Sequence, residues 1–123
     1  MRYLTDRKRA QGLGASGSGT HHHWQMMVSS MLMLPAVPLF IFIVGAGMGG
    51  TYDEVVAYFS RPCIAILTGL SLTVILNHLK NEAHEAIEDY MHGVSEKVAL
   101  VAASAFSYTL IVAGIYSLIT IAL

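Results

Sequence analysis

The chain has 123 residues, 54% of them hydrophobic and only 12% charged, with a formal net charge of −1; that is about half the charge of an ordinary soluble domain. All fifteen Asp, Glu, Lys and Arg side chains fall within residues 1–9, 53–61 and 80–97, so charge-free runs remain at 24–52, 62–79 and 98–123, each long enough to cross a bilayer, and a soluble globular fold is excluded. The near-neutral balance gives no basic face for nucleic acid, and the single cysteine, Cys63, rules out a disulfide framework or a multi-cysteine metal site.

Residues 1–20 read as a flexible arm. Arg2, Arg7, Lys8 and Arg9 are followed by a Gly/Ser stretch from Gly12 to Gly19. No strand precedes those glycines and no Lys-Ser/Thr pair follows, so the stretch is a linker rather than a phosphate loop. It also stands where a secretory signal needs its apolar core, so no cleaved signal peptide is expected.

Residues 21–123 read as one all-α, integral membrane domain of three transmembrane helices, predicted near 23–45, 62–90 and 96–122. Trp24 suits an interfacial anchor at the start of the first. Pro35 and Pro38 fall inside it, which membrane helices accept, and Gly45, Gly47, Gly49 and Gly50 end it. The stretch 51–61 is expected to be a short polar loop with at most one interfacial turn at 55–59. Pro62 suits the first turn of the second helix. Its apolar part ends at Leu79, but good helix formers continue to Tyr90, with Gly93 as the stop and Ser95 as the cap of the third. Ala99, Ala103, Ser107 and Gly114 would let that third helix approach a neighbour closely.

Orientation follows from the basic residues. Arg2, Arg7, Lys8, Arg9, Lys80 and Lys97 share one side, against Arg61 alone on the other. The N-terminus is therefore expected inside and the C-terminus outside; in a bacterial inner membrane that means cytoplasm and periplasm.

Polar groups at membrane depth are the informative ones. His78 is the only ionisable side chain of its kind in the apolar runs. It reads either as a residue reaching for the interface or as an axial ligand of haem, whose second ligand would then come from another polypeptide. On a continuing helix Glu82, Glu85 and Asp89 stay within about 40° of it. That acidic stripe reads either as a solvated face or as a docking face for a basic partner. Tyr90 lies about 18 Å further along the axis, as an anchor or as a hydrogen-bond donor to a quinone. His21, His22 and His23 are adjacent and lack metal-site spacing; at the membrane surface they could meet a cofactor.

These residues resemble a known family. His78, followed by Asp89-Tyr90-Met91-His92-Gly93, resembles the H-x10-D-Y-[VM]-H-G pattern of the smaller of the two hydrophobic membrane anchors of succinate dehydrogenase, respiratory complex II. His22-His23-Trp24 and Ile87-Glu88-Asp89-Tyr90 are similar to its alphaproteobacterial and mitochondrial branch. The resemblance implies that His78 is an axial ligand of haem b, shared with a second, larger anchor subunit. It implies that Tyr90 and Asp89 form part of the ubiquinone site, with His22 or His23 near quinone or propionates. FAD and the iron–sulfur clusters would reside in the flavoprotein and iron–sulfur subunits, where succinate is oxidised, and no activity is expected of this chain alone. Two departures stand out: 25–30 holds no arginine, and Lys80, Glu82, His84 and Glu85 replace small or apolar residues. The competing readings are an anchor of a fumarate reductase-type enzyme and a non-enzymatic, holin-like or small structural membrane protein.

Overall fold

Three helices of 29 residues carry the fold in a computed structural model, which describes residues 5–10, 12 and 18–123. They are α2 (Gly19–Gly47), α4 (Pro62–Tyr90) and α5 (Val94–Ala122); a short helix α1 (Asp6–Ala10) precedes them and another, α3 (Tyr52–Phe59), lies between α2 and α4. Each long helix is about 43 Å from end to end, more than the roughly 30 Å hydrocarbon layer. Each is also apolar enough to cross it. The protein is an all-helical membrane protein.

The expected arm is part helical, since α1 spans Asp6–Ala10 and α2 begins at Gly19, ahead of His23. Arg2 and most of the Gly/Ser stretch lie outside the described residues. Pro35 and Pro38 both sit within α2 without ending it. Hydroxyls along the long helices turn back onto their own backbones. Thr68 donates to Ile64 O at 2.7 Å, Thr73 to Gly69 O at 2.8 Å and Thr109 to Ala105 O at 2.7 Å. This satisfies them where no water is available.

The stretch expected as a polar loop is the eight-residue helix α3. Thr51 and Glu54 close a capping box: Glu54 N donates to Thr51 Oγ1 at 3.4 Å, and Thr51 N to Glu54 Oε2 at 2.9 Å. Two of the helix's orphan donors are satisfied in this way. The Tyr58 hydroxyl then donates to Ile43 O at 2.9 Å, tying α3 to the end of α2. Gly47 makes that approach possible, because a Cβ there would stand 2.6 Å from the Tyr58 ring and 2.8 Å from the Phe59 ring. Gly47→Ala is therefore expected to cost about 1–3 kcal/mol through overpacking. It should lower the thermal midpoint of the solubilised protein; an unchanged midpoint would mean that the rings shift freely.

The turn between α4 and α5 is tighter than expected. α4 closes with Met91 N donating to Ile87 O at 2.8 Å. Gly93, at φ +76°, is itself the residue preceding α5, a conformation that favours glycine. Ser95 does not cap; its hydroxyl donates to His92 O at 3.0 Å.

Packing is centred on α4. α2 lies against one side of it and α5 against the other, while α2 and α5 do not approach each other. Of the small residues on α5, Ser107 is buried and Gly114 meets Leu72 of α4. Among the described residues the buried apolar core is only Ala36 and Ile43. Leu34, Phe42, Val101 and Tyr116 stay largely exposed. Three helices in an open layer need lipid or other chains to cover both broad faces.

Candidate functional site

The antiparallel run of α2 and α4 brings the first turns of α2 beside the last turns of α4. Two histidine–glutamate contacts mark this seam. His78 Nε2 lies 3.4 Å from Glu82 Oε1, one turn along the same helix, and His22 Nε2 lies 3.3 Å from Glu85 Oε1 across the two helices. The acidic stripe is thus half engaged: Glu82 and Glu85 meet histidines, while Asp89 is exposed beyond them. The His22–Glu85 pair is about half exposed on both sides, where such pairs contribute little to stability.

His78 is held more firmly. Its side chain is 12% exposed, and Nδ1 lies 2.9 Å from Ser29 Oγ of α2. Ser29 Oγ also lies 3.0 Å from Met26 O, so its one hydroxyl proton can serve either that carbonyl or Nδ1. If that proton goes to Met26 O, Ser29 accepts from Nδ1–H; if it goes to Nδ1, the ring proton stands on Nε2, facing the Glu82 carboxylate. Among the described residues the Glu82 carboxylate, an acceptor, stands 3.4 Å from Nε2. A neutral imidazole whose other nitrogen is hydrogen-bonded is the usual state of a metal-ligating histidine. The donor set fits an iron-bound histidine on the Glu82 face of α4. Ser29 is the residue that sequence reasoning missed: it is 49 positions away from His78, and no local spacing connects them.

The three adjacent histidines have separate surroundings. The Gln25 side-chain amide donates to His21 Nε2 at 3.1 Å, and His22 meets Glu85. His23 lines an open groove of about 630 Å³ with Met26, Met27, Met31, Glu82 and Glu85. No group of three metal-ligating side chains forms among the described residues. His23 therefore shares its groove with Glu82, the residue beside His78 Nε2, whereas His21 and His22 do not line it.

Tyr90 is the last residue of α4 and is 87% exposed. It shares this end of the layer with His22, Glu85 and the start of α5 but packs against none of the seam. His84 turns the other way, with Nε2 2.8 Å from Ser104 Oγ of α5.

Comparison with known proteins places the chain in context. A family model described as succinate dehydrogenase/fumarate reductase transmembrane subunit matches residues 1–121. The succinate dehydrogenase hydrophobic membrane anchor subunit of Paracoccus denitrificans is 37% identical over 118 residues, covering 96% of this chain and 92% of that protein. No solved structure matches the chain significantly.

Proposed function

This chain belongs to the succinate dehydrogenase/fumarate reductase transmembrane subunit family, and on that footing we propose that it anchors a succinate:ubiquinone oxidoreductase while contributing one haem b ligand and part of the quinone site. As a member of the family it is a membrane subunit of a multi-subunit oxidoreductase. The proposal adds which residues do what, and on which side of the membrane.

The Ser29–His78 contact carries the reading. A histidine at membrane depth whose Nδ1 lies 2.9 Å from a serine hydroxyl would bind iron through Nε2 with Ser29 accepting from Nδ1–H. His78 Nε2 would hold the metal, and a second anchor subunit would supply the opposite ligand. Haem b held there would supply a one-electron centre within the membrane domain. Glu82 must turn away from Nε2 for iron to bind, and its half-exposed side chain has room to do so. Succinate oxidation itself belongs to the flavoprotein subunit, and electrons reach the membrane surface through the iron–sulfur subunit.

At that surface the exposed Tyr90 hydroxyl would donate to a quinone carbonyl, with Asp89 beside it. His23, in the methionine-rich groove, is placed better than His22 to meet quinone or propionates, because His22 is taken by Glu85. Orientation follows from Arg7, Lys8 and Arg9 of α1, with Lys80 and Lys97 at the same end of the layer and Arg61 at the other. The N-terminus lies in the cytoplasm and the C-terminus in the periplasm of a bacterial inner membrane. The family includes fumarate reductases, but the Paracoccus relative is named for succinate dehydrogenase, which favours succinate oxidation. A holin-like protein finds no support in that membership.

Ser29→Ala tests the reading. The assembled complex is expected to retain haem about 10- to 100-fold less tightly, the usual cost of losing the group that orients a metal-binding histidine. Haem retained on dilution is measured from the reduced-minus-oxidised spectrum. Retention equal to the wild type would remove Ser29 from the account.

A further inference from the structure

On the opposite face of α4, about 160° around the helix from Glu82, Lys80 stands at the edge of a cleft of about 440 Å³ between α2 and α4. Two of its three ammonium protons are committed, one to Asn77 Oδ1 at 3.2 Å and one to the Tyr108 hydroxyl at 3.1 Å. The ammonium also lies 4.9 Å from the centre of the Tyr108 ring. All of these partners are neutral. Among the described residues no carboxylate pairs with Lys80, so one N–H and a full positive charge remain unanswered next to the apolar layer.

The cleft has a polarity gradient. Trp24, Gln25 and Asn81 line it towards the end that carries Tyr90, Lys80, Asn77 and Ser29 come next, and Val28 and Leu32 supply its apolar side chains along α2. Trp24 is 61% exposed, as suits an indole at headgroup level. A cation with a free donor, a flanking indole and amides, and an apolar wall running inward together match a phospholipid: phosphate above, acyl chain below.

We propose that this cleft binds one anionic phospholipid, its phosphate on the free N–H of Lys80 and one acyl chain along Val28 and Leu32. A phosphate oxygen supplies both the missing acceptor and the missing negative charge. The site lies on the face of α4 away from Glu82; it shares Ser29, the partner of His78, with the haem reading, but the lipid's phosphate and acyl contacts are made by Lys80, Val28 and Leu32. It depends only on the chain lying in a bilayer.

The test uses the whole complex in nanodiscs of phosphatidylcholine with a minor fraction of phosphatidylglycerol. Lipids retained after mild detergent extraction are counted by native mass spectrometry. The wild type and Lys80→Arg are expected to retain phosphatidylglycerol preferentially. Lys80→Gln should retain about fivefold less, the weight of one interfacial cation against an anionic lipid. Leu32→Trp keeps the charge but fills the acyl-chain wall, and it should also release the lipid. Equal retention by the wild type and Lys80→Gln overturns the proposal. So does a Leu32→Trp complex that keeps the lipid, since the acyl chain would then lie elsewhere. If the wild type carries no extra phosphatidylglycerol and Lys80→Gln instead sheds another subunit, Lys80 serves a partner's carboxylate and the lipid site does not exist. If Lys80→Gln fails to assemble, Leu32→Trp against Lys80→Arg still decides.

Discussion

His78→Ala is expected to lower the b-type absorption of the assembled complex by more than about tenfold, the largest effect on haem of any single change in this chain. The fold should tolerate the substitution. His78 meets its neighbours through polar atoms, Ser29 on one ring nitrogen and Glu82 on the other. Ser29 keeps its bond to Met26 O when the ring is removed. Alanine is also the best helix former, and Ala36 and Ile43, the buried apolar residues of α2, are untouched. Haem is read from the dithionite-reduced difference spectrum, normalised to the flavin of the flavoprotein subunit so that assembly is counted separately. Full absorption in the variant would move the ligand to another histidine, with His23 in the methionine-rich groove next in line. A graded series, in which Ser29→Ala weakens haem binding and His78→Ala removes it, would tie the loss to the ring nitrogens rather than to a disturbed seam.

What could be read before folding, and what could not, divides along sequence separation. Clustered charge marks the three long helices because a bilayer excludes charge residue by residue, and Pro62 marks the start of α4 by a local rule. α3 is locally legible too: Thr51-Tyr52-Asp53-Glu54 is a capping-box pattern, masked by its polar surroundings. The seam is not legible. Ser29 with His78, His22 with Glu85, and Lys80 with Tyr108 each join two helices, and helical periodicity ranks the faces of one helix without saying which neighbour covers them. For that reason Glu82 and Glu85 read as a free acidic stripe although the structure engages both with histidines. Lys80 likewise reads only as a marker of orientation. The open layer is hidden as well: α2 and α5 are apolar all round, so nothing in either shows that they stand apart on the two sides of α4.

Tyr90→Phe is expected to lower the rate of quinone reduction by about a hundredfold, the low end of what a positioned proton donor contributes. Reduction of a soluble dye by the flavoprotein and iron–sulfur subunits should be unchanged. The substitution removes one oxygen and keeps the ring, so any packing of this 87% exposed side chain against a partner survives. The position supports the assignment. Tyr90 ends a helix of 29 residues that outruns the hydrocarbon layer, eleven residues past Leu79, where the apolar part of α4 ends. A hydrogen bond that strengthens as charge builds on the quinone oxygen acts in the transition state, so kcat should fall with little change in KM. The haem spectrum should be unaltered, because about 18 Å of helix separates Tyr90 from His78. Equal losses in the quinone and dye assays would signal failed assembly instead. An unchanged quinone rate in an intact complex would take Tyr90 out of the site and leave His23, at the same end of the layer, as the residue of this chain to test next.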